Sequence, residues 1–118
     1  MARARTTSDV FNAIAEPRRR EILDLLARRG EQAVGELVGA LRIAQPAVSK
    51  HLGVLRRVRI VSVRRRGRSR VYQLNAKELK PVHDWVKNYE QFWNHHISRI
   101  KDRAEQKARE QDRSTQEK

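Results

Sequence analysis

The sequence predicts a mainly α-helical domain (α+β in class) with one small β-hairpin and a long helix near its C-terminus. Three observations lead to this prediction. Two apolar stripes of helical period lie on either side of a short break within residues 34–55. A β-branched, alternating segment follows, and its turn is rich in arginine and contains a glycine. A third apolar stripe, which holds most of the aromatic side chains, occupies residues 82–100.

Composition limits the classes of function. The 118 residues include 27 Lys and Arg against 14 Asp and Glu, which gives a net charge of +13. Such an excess favours a polyanionic partner, either nucleic acid or an anionic membrane surface. No apolar run approaches the roughly 18 residues of a membrane span, and the polar first residues lack the apolar segment of a secretory signal. The chain has no cysteine, which excludes disulfides and thiolate metal sites and favours a cytoplasmic protein.

The N-terminal part predicts a polar arm and two helices. Residues 1–8 are expected to form a flexible basic arm. Asp9 to Ala15 is expected to be a short helix capped by Ser8 or Asp9. Pro17 then opens a second helix that runs to Arg29, with Ile22, Leu25 and Leu26 turned inward and Leu23 beside them. Gly30 is expected to stop this helix, because glycine readily adopts the left-handed conformation of a helix C-terminus.

Three consecutive arginines, Arg18 to Arg20, begin the second helix. Positive charge at a helix N-terminus opposes the helix dipole, so the cluster does not stabilise its own helix. Two interpretations stay open from sequence alone. The arginines form a solvated face, or they contact phosphates.

Residues 34–55 predict a helix-turn-helix. Val34, Leu37, Val38 and Leu41 form one helical stripe, and after a break at residues 42–44 a second stripe runs from Ala47 to Leu55. Pro46 fits only the first turn of the second helix, because it has no N–H and its φ is fixed. Two helices of about three turns joined by a bend of three or four residues have the spacing of this motif. The outer face of the second helix is polar and basic, as entry into a DNA major groove requires; it carries Gln45, Ser49, Lys50 and Arg56.

A β-hairpin is expected next, with strands at Ile60–Arg65 and Ser69–Leu74 and a turn at Arg66-Gly67. Five of the seven residues from 64 to 70 are arginine. Like charges repel, so a contact with DNA phosphates or a narrow minor groove explains this tip better than ordinary solvated surface does. A helix-turn-helix followed by a basic hairpin is a winged helix.

Three segments also resemble a known family: FNAIAEPRRREILDLLARR at 11–29, IAQPAVSKHLGVL at 43–55, and GRSRVYQL at 67–74. They are similar to the arsenical-resistance-repressor (ArsR/SmtB-like) transcriptional regulators, over roughly residues 9–100. The resemblance implies a dimeric repressor that binds a palindromic operator, often in its own promoter. It also places His51 on the recognition helix. The chain departs from the family pattern at Ala44, where a capping serine is common, and at Arg59, where a glycine is common.

The C-terminal part predicts a long helix used for dimerisation. Asn75 and Glu78 have the spacing of a capping box, so a short turn at residues 76–79 is expected, followed by a helix from Lys80-Pro81 onward. A small domain cannot cover the long apolar stripe of this helix, whereas the same helix of a second copy can. Packing within the monomer is the alternative. The residues expected at the dimer interface are Val82, Trp85, Val86, Tyr89, Phe92, Trp93, Ile97 and Ile100.

No metal, cofactor or catalytic centre is expected. Some similar regulators bind zinc on this helix, but their Asp-x-His spacing is broken here, since Val86 follows Asp84 by two and Ser98 follows His95 by three. A partial set made of Asp84 with His95 or His96 stays as the alternative. The segment WVKNYEQFW resembles a metal-independent branch of the family. The chain has no glycine-rich phosphate loop and no arrangement of Ser, His and Asp that indicates an enzyme.

These observations predict a regulator that binds double-stranded DNA as a homodimer, has no membrane partner and responds to an unknown inducer. The alternative is an architectural protein that binds nucleic acid without sequence preference. Residues 9–104 are expected to form the DNA-binding and dimerisation domain, and residues 105–118 a mixed-charge tail. The residues expected to contact DNA are Gln45, Pro46, Ser49, Lys50, His51 and Arg56 on the helix, and Arg64, Arg66, Arg68 and Arg70 on the hairpin.

Overall fold

The computed structural model describes the backbone of residues 7–116 and the side chains of residues 9–95 and 99–111. The arm predicted for residues 1–8 therefore lies outside the described residues, apart from the backbone of its last two positions. The side chains of His96 and Ile97 lie outside them too. The helices and strands are, in chain order, α1 (Thr7–Ala15), α2 (Pro17–Arg29), β1 (Gln32–Ala33), α3 (Val34–Leu41), α4 (Gln45–Arg57), β2 (Val61–Arg66), β3 (Ser69–Leu74), a 3-10 turn (Ala76–Leu79), α5 (Lys80–Lys87) and α6 (Glu90–Gln116).

The chain divides into two compact units, one that ends at Val82 and one that begins at His83. The first unit has one apolar core, to which the helices α1 to α4 and the strand β2 contribute. The predicted inward residues of α2 are all buried, and Leu23 is buried with them. The most deeply buried side chains of the core are Val10, Ile22, Leu37, Val48, Leu52, Leu55, Ile60 and Val61. The mainly helical class and the helix-turn-helix are thus confirmed, although α3 has only 8 residues, about two turns.

The junction between α1 and α2 accounts for the arginine cluster. Helix α1 begins at Thr7, so Ser8 and Asp9 lie in its first turn, and the prediction that one of them is the cap was wrong. The side chain of Arg19 donates to the carbonyl oxygen of Ala13, and that of Arg20 donates to Ile14 and Ala15. The last carbonyls of a helix lack intrahelical partners and carry partial negative charge. The two arginines, which lie in α2 as predicted, therefore stabilise the end of the preceding helix, a role that neither interpretation of the cluster had included.

The sheet has three antiparallel strands in the order β1-β3-β2. The hairpin was predicted, but the two-residue strand β1 was not. The turn of the hairpin was expected at Arg66-Gly67. Instead, Arg66 pairs with Ser69, and the turn residues are Gly67 and Arg68. Gly67 has φ 62° and Arg68 has a negative φ, the pattern of a type II′ turn, which favours glycine at the first of its two central positions.

The end of α4 is closed by a left-handed residue. The N–H of Ile60 donates to the carbonyl of Leu55, the N–H of Arg59 donates to that of Arg56, and Arg59 has φ 65°. This is a Schellman motif with arginine at the position that glycine usually takes. The side-chain amide of Asn75 donates to the carbonyl of Arg59 at 3.1 Å. Asn75 makes no side-chain cap on the 3-10 turn, so the predicted capping box was wrong.

The predicted C-terminal helix is interrupted once. Instead of one helix from Lys80, the structure has the short α5 and then α6, a long helix of 27 residues. At the break, Asn88 and Tyr89 donate to the carbonyls three residues earlier, as in a 3-10 turn. Asparagine disfavours a helix interior because its side chain competes for backbone hydrogen bonds, which explains why the apolar stripe continues while the helix does not. Within the described residues, no helix is long and apolar enough to cross a membrane.

Candidate nucleic-acid interface

The second helix of the helix-turn-helix presents the polar face that the sequence predicts. Val48, Leu52 and Leu55 are buried, which fixes the rotation of α4 about its axis. As a consequence Gln45, Pro46, Ser49, Lys50 and Arg56 are all exposed. The side chains of Gln45 and Ser49 lie one turn apart on the helix, so both can reach base edges if this face enters a major groove.

The first turn of α4 has no side-chain cap. Ala44 occupies the N-cap position in an extended conformation, and its carbonyl accepts from the N–H groups of Ala47 and Val48. A serine here would offer an oxygen to the first turn, whereas alanine cannot. Pro46 lies within the first turn, where its missing N–H costs nothing. The two departures from the family pattern therefore have defined backbone positions, one at each end of the recognition helix.

His51 differs from the other predicted contacts of α4. Its side chain is half-buried, and its Nδ1 atom is buried without a hydrogen-bond partner within the described structure. The ring therefore packs partly against the domain, and only a part of it reaches the surface.

The wing carries a concentrated positive charge. Arg65 lies directly opposite Arg70 in the β2–β3 ladder, and both are exposed, as are Arg66 and Arg68. Like charges directly opposite each other on two strands destabilise the pairing. Arg65 was part of the predicted basic tip but was not among the predicted DNA contacts. It is nevertheless paired with Arg70, which was predicted to contact DNA, and both side chains lie on the same face of the hairpin.

Arg64 is the wing arginine with an acidic partner. Its Nε and Nη2 atoms each donate to one carboxylate oxygen of Glu31, both at 2.6 Å. This hydrogen bond, together with the positive charges of Arg64 and Arg66, holds the pKa of the Glu31 carboxyl below its usual value. The same bond raises the pKa of the Arg64 guanidinium. Sequence reasoning missed Glu31, because 33 positions separate it from its partner and no local pattern marks the pair.

The apolar stripe of α5 and α6 is largely exposed. Trp85, Tyr89, Phe92, Trp93 and Ile100 each expose between 45% and 62% of their surface, and the rings of Trp85 and Tyr89 meet edge to face at 5.6 Å. Val86 is half-buried, and Val82 packs against the core of the first unit. Several large apolar side chains exposed along one segment are typical of a protein interface.

Among the described residues, His, Asp and Glu form no group of three that could hold a metal ion. Of the predicted alternative, Asp84 and His95 are exposed, and the side chain of His96 lies outside the described residues.

Comparison with known proteins agrees with this geometry. Residues 16–63 match the model of "bacterial regulatory protein, arsR family". The transcriptional repressor SdpR of Bacillus subtilis is 35% identical over 82 residues, which are 70% of this chain and 90% of SdpR. The chain belongs to the arsR family of bacterial transcriptional regulators. The family resemblance inferred from sequence is confirmed, and with it the expectation of a DNA-binding regulator instead of an enzyme.

Two further matches extend the family relationship to most of the chain. The HTH-type transcriptional regulator Rv2034 of Mycobacterium tuberculosis is 39% identical over 93 residues, 79% of this chain and 83% of its own length. The solved structure of an ArsR-like transcriptional regulator from Rhodococcus sp. RHA1 superposes with a TM-score of 0.64 at 28% identity, over 83% of this chain and 89% of that one. The winged helix-turn-helix fold is thereby confirmed.

Proposed function

We propose that this arsR-family protein is a sequence-specific repressor that binds a palindromic operator as a homodimer in the cytoplasm, with its own promoter as the first candidate operator. The outward face of α4 carries the proposal. Gln45, Ser49 and Lys50 are exposed on a helix whose other side is anchored in the core. The amide of Gln45 and the hydroxyl of Ser49 can donate to and accept from base edges in a major groove, and the ammonium group of Lys50 can donate. Repression as the direction of control is supported by the similarity to SdpR, which is a transcriptional repressor.

The wing is assigned to the DNA backbone. All five of its arginines are exposed, and Arg65 and Arg70 repel each other across the ladder. A row of phosphates would offset that repulsion, and contacts with phosphate set affinity and register without specifying sequence. The helix and the wing therefore have different tasks, which can be separated by experiment.

The dimer is supported by the exposed aromatic stripe. A palindromic operator needs two recognition helices related by a two-fold axis, and an isologous contact between two copies of the stripe would supply that symmetry. Phe92 and Trp93 are adjacent on α6 and are at least half exposed, so each has apolar surface left to bury against a second copy.

An architectural protein that binds DNA through charge alone is the second candidate, favoured by the net charge of +13. Selection of bound duplexes from random DNA separates the two candidates. A repressor is expected to prefer the selected site over random DNA by roughly a thousandfold or more at physiological salt. A ratio near one would reject sequence-specific recognition and leave the architectural function.

The division of tasks is tested with Gln45→Ala and Arg68→Ala on the selected site and on a scrambled duplex. Gln45→Ala is expected to cost roughly 1–3 kcal/mol on the site and much less on the scrambled duplex. Arg68→Ala is expected to weaken both by similar factors. It should also reduce the magnitude of the slope of the logarithm of the binding constant against the logarithm of salt concentration, by about 0.9 per lost phosphate contact, or twice that in a dimer. The reverse assignment would follow if Arg68→Ala affected only the site and Gln45→Ala affected both duplexes equally.

The dimer is tested with Trp93→Ala, and Glu105→Ala on the charged part of α6 is the control. Loss of a buried aromatic side chain is expected to cost about 3–5 kcal/mol, so sedimentation should show monomers and affinity for the operator should collapse. The control is expected to remain dimeric. If Trp93→Ala also remains dimeric with unchanged stability, the stripe around Trp93 is not the interface.

A further inference from the structure

The ion pair between Glu31 and Arg64 joins the two edges of the sheet. Glu31 immediately precedes β1, and Arg64 lies on β2. These two strands are the opposite edges of the sheet, with β3 between them. The pair is bidentate, with two bonds of 2.6 Å, and this parallel fork is the most directional contact that a carboxylate makes with an arginine.

The register of the ladder shows what the pair connects. Arg64 is opposite Val71, and Val71 is opposite Ala33 on the other side. Directly paired residues lie on the same face of a sheet, and so does a residue two positions further along a strand. Glu31, two residues before Ala33, therefore shares the face of Arg64, and the ion pair crosses the central strand on that face.

The segment at Glu31 leads directly into the helix-turn-helix. The N–H of Ala33 donates to the Glu36 carboxylate in the first turn of α3 at 3.0 Å. Strand β1 itself pairs with β3 at only two positions, so its backbone alone ties the wing weakly to this segment. The ion pair adds a side-chain connection between the wing and the start of α3.

We propose that Glu31 is the positioning residue of the wing and that Arg64 serves as its partner instead of contacting DNA. This inference rests on the proposed DNA-binding function and revises the contact predicted for Arg64. The pair fixes the orientation of the β2–β3 hairpin relative to the segment that leads into α3, and the tip reaches the phosphates only in an orientation compatible with α4 in the groove. The Glu31 carboxyl is ionised at neutral pH with its usual pKa, and the hydrogen bond from Arg64 lowers that pKa further, so the pair is maintained.

The direction in which Glu31→Gln changes DNA affinity separates a positioning role from a general effect of net charge. Glu31→Gln removes a negative charge, so a protein that binds DNA only through net charge would bind more tightly. If Glu31 positions the wing, the same change weakens binding, by about fivefold for a well-formed surface pair. Glu21→Gln is the matched control, because Glu21 also forms an exposed ion pair, with Arg18 at 3.0 Å, and its loss changes the net charge equally.

The experiment measures binding to the selected site across a salt series for Glu31→Gln, Arg64→Gln and the charge swap Glu31→Arg with Arg64→Glu. The two single variants are expected to lose affinity by the same factor, with the salt dependence of the wild type. The swap is expected to restore affinity to within about twofold, since it rebuilds the ion pair. Glu21→Gln is expected to bind as tightly as the wild type or slightly more tightly.

Three results would overturn the proposal. Arg64→Gln could reduce the salt dependence by about 0.9 per contact, which identifies Arg64 as a phosphate contact. Glu31→Gln could strengthen binding, or the swap could bind worst of all. Glu31→Asp provides a further check, because it keeps the charge but shortens the reach; it is expected to lose affinity, whereas a pure charge effect would leave it unchanged.

Two controls keep these results independent of folding and of the proposed function. Binding is compared at a temperature at which circular dichroism shows every variant to be folded. If the wild type prefers no duplex, the repressor function fails, but the same variants can still be compared on random DNA. There the loss with Glu31→Gln and its rescue by the swap would still support a positioned wing, and the absence of both would reject it.

Discussion

Replacing Arg59 with glycine should stabilise the protein. Arg59 has φ 65° and closes the Schellman motif at the end of α4. L-residues with a side chain are strained in this left-handed conformation, and glycine is not. The flanking contacts do not depend on the side chain, because the motif uses backbone atoms and Asn75 binds the Arg59 carbonyl. The substitution therefore removes strain and leaves the hydrogen bonds in place.

The magnitude follows from two opposing effects. The left-handed conformation costs a non-glycine residue about 1–2 kcal/mol. Glycine also increases the conformational entropy of the unfolded chain, which destabilises the folded protein by about 0.5–1 kcal/mol and offsets part of this gain. A net stabilisation of about 0.5–1 kcal/mol is expected. With a urea dependence of about 2 kcal/mol per molar, the unfolding midpoint should rise by about 0.3–0.5 M at an unchanged slope.

The assay is urea unfolding at fixed protein concentration, because the proposed dimer would make stability depend on concentration. Arg57→Gly is the matched control, since it removes the same charge two residues earlier, where the helical backbone has a negative φ. That variant should lose up to about 1 kcal/mol, the cost of glycine in a helix. If Arg59→Gly destabilises the protein as much as Arg57→Gly does, the backbone at residue 59 is not strained and the reasoning is wrong.

Four further predictions concern other parts of the chain. Arg19→Ala should lower the unfolding free energy by about 1.5–3 kcal/mol, because charged hydrogen bonds to the end of α1 are lost; unchanged urea unfolding would contradict this role. Gly39→Ala should raise it by about 0.5–1 kcal/mol, since a Cβ there meets no atom within 4 Å; a decrease would indicate a hidden contact. The pKa of Glu31 is lowered from 4.5, so the contribution of the ion pair to stability should be complete above pH 4.5 and be lost as the pH falls through the lower pKa of the folded state. The unfolding free energies of wild type and Glu31→Gln, plotted against pH, should therefore converge in acid. Parallel curves would exclude an ionised pair. Operator binding should be equal with chelator and with added zinc, and zinc-dependent release that His95→Ala abolishes would show a metal site.

Much of the fold is encoded locally in the sequence. Pro17 and Gly30 bound α2, and Pro46 marks the first turn of α4. The spacing of apolar residues then predicts which face of each helix is buried, because a helix has a fixed period of 3.6 residues. The alternating valines and Gly67 predict the hairpin, because a strand has a period of two residues and a tight turn favours glycine. The recognition helix and the wing could therefore be located without a structure.

The tertiary structure decided which groups meet. The sequence predicted an arginine cluster at the start of α2, but only the fold brings Arg19 and Arg20 to the carbonyls of α1. Strand β1 has two residues and no periodicity of its own, so it exists only because β3 offers it hydrogen-bond partners. Glu31 and Arg64 are 33 positions apart. The physical reason is that periodicity and turn preferences act between near neighbours, whereas ion pairs, caps between helices and edge strands depend on atoms that only folding places within hydrogen-bond distance.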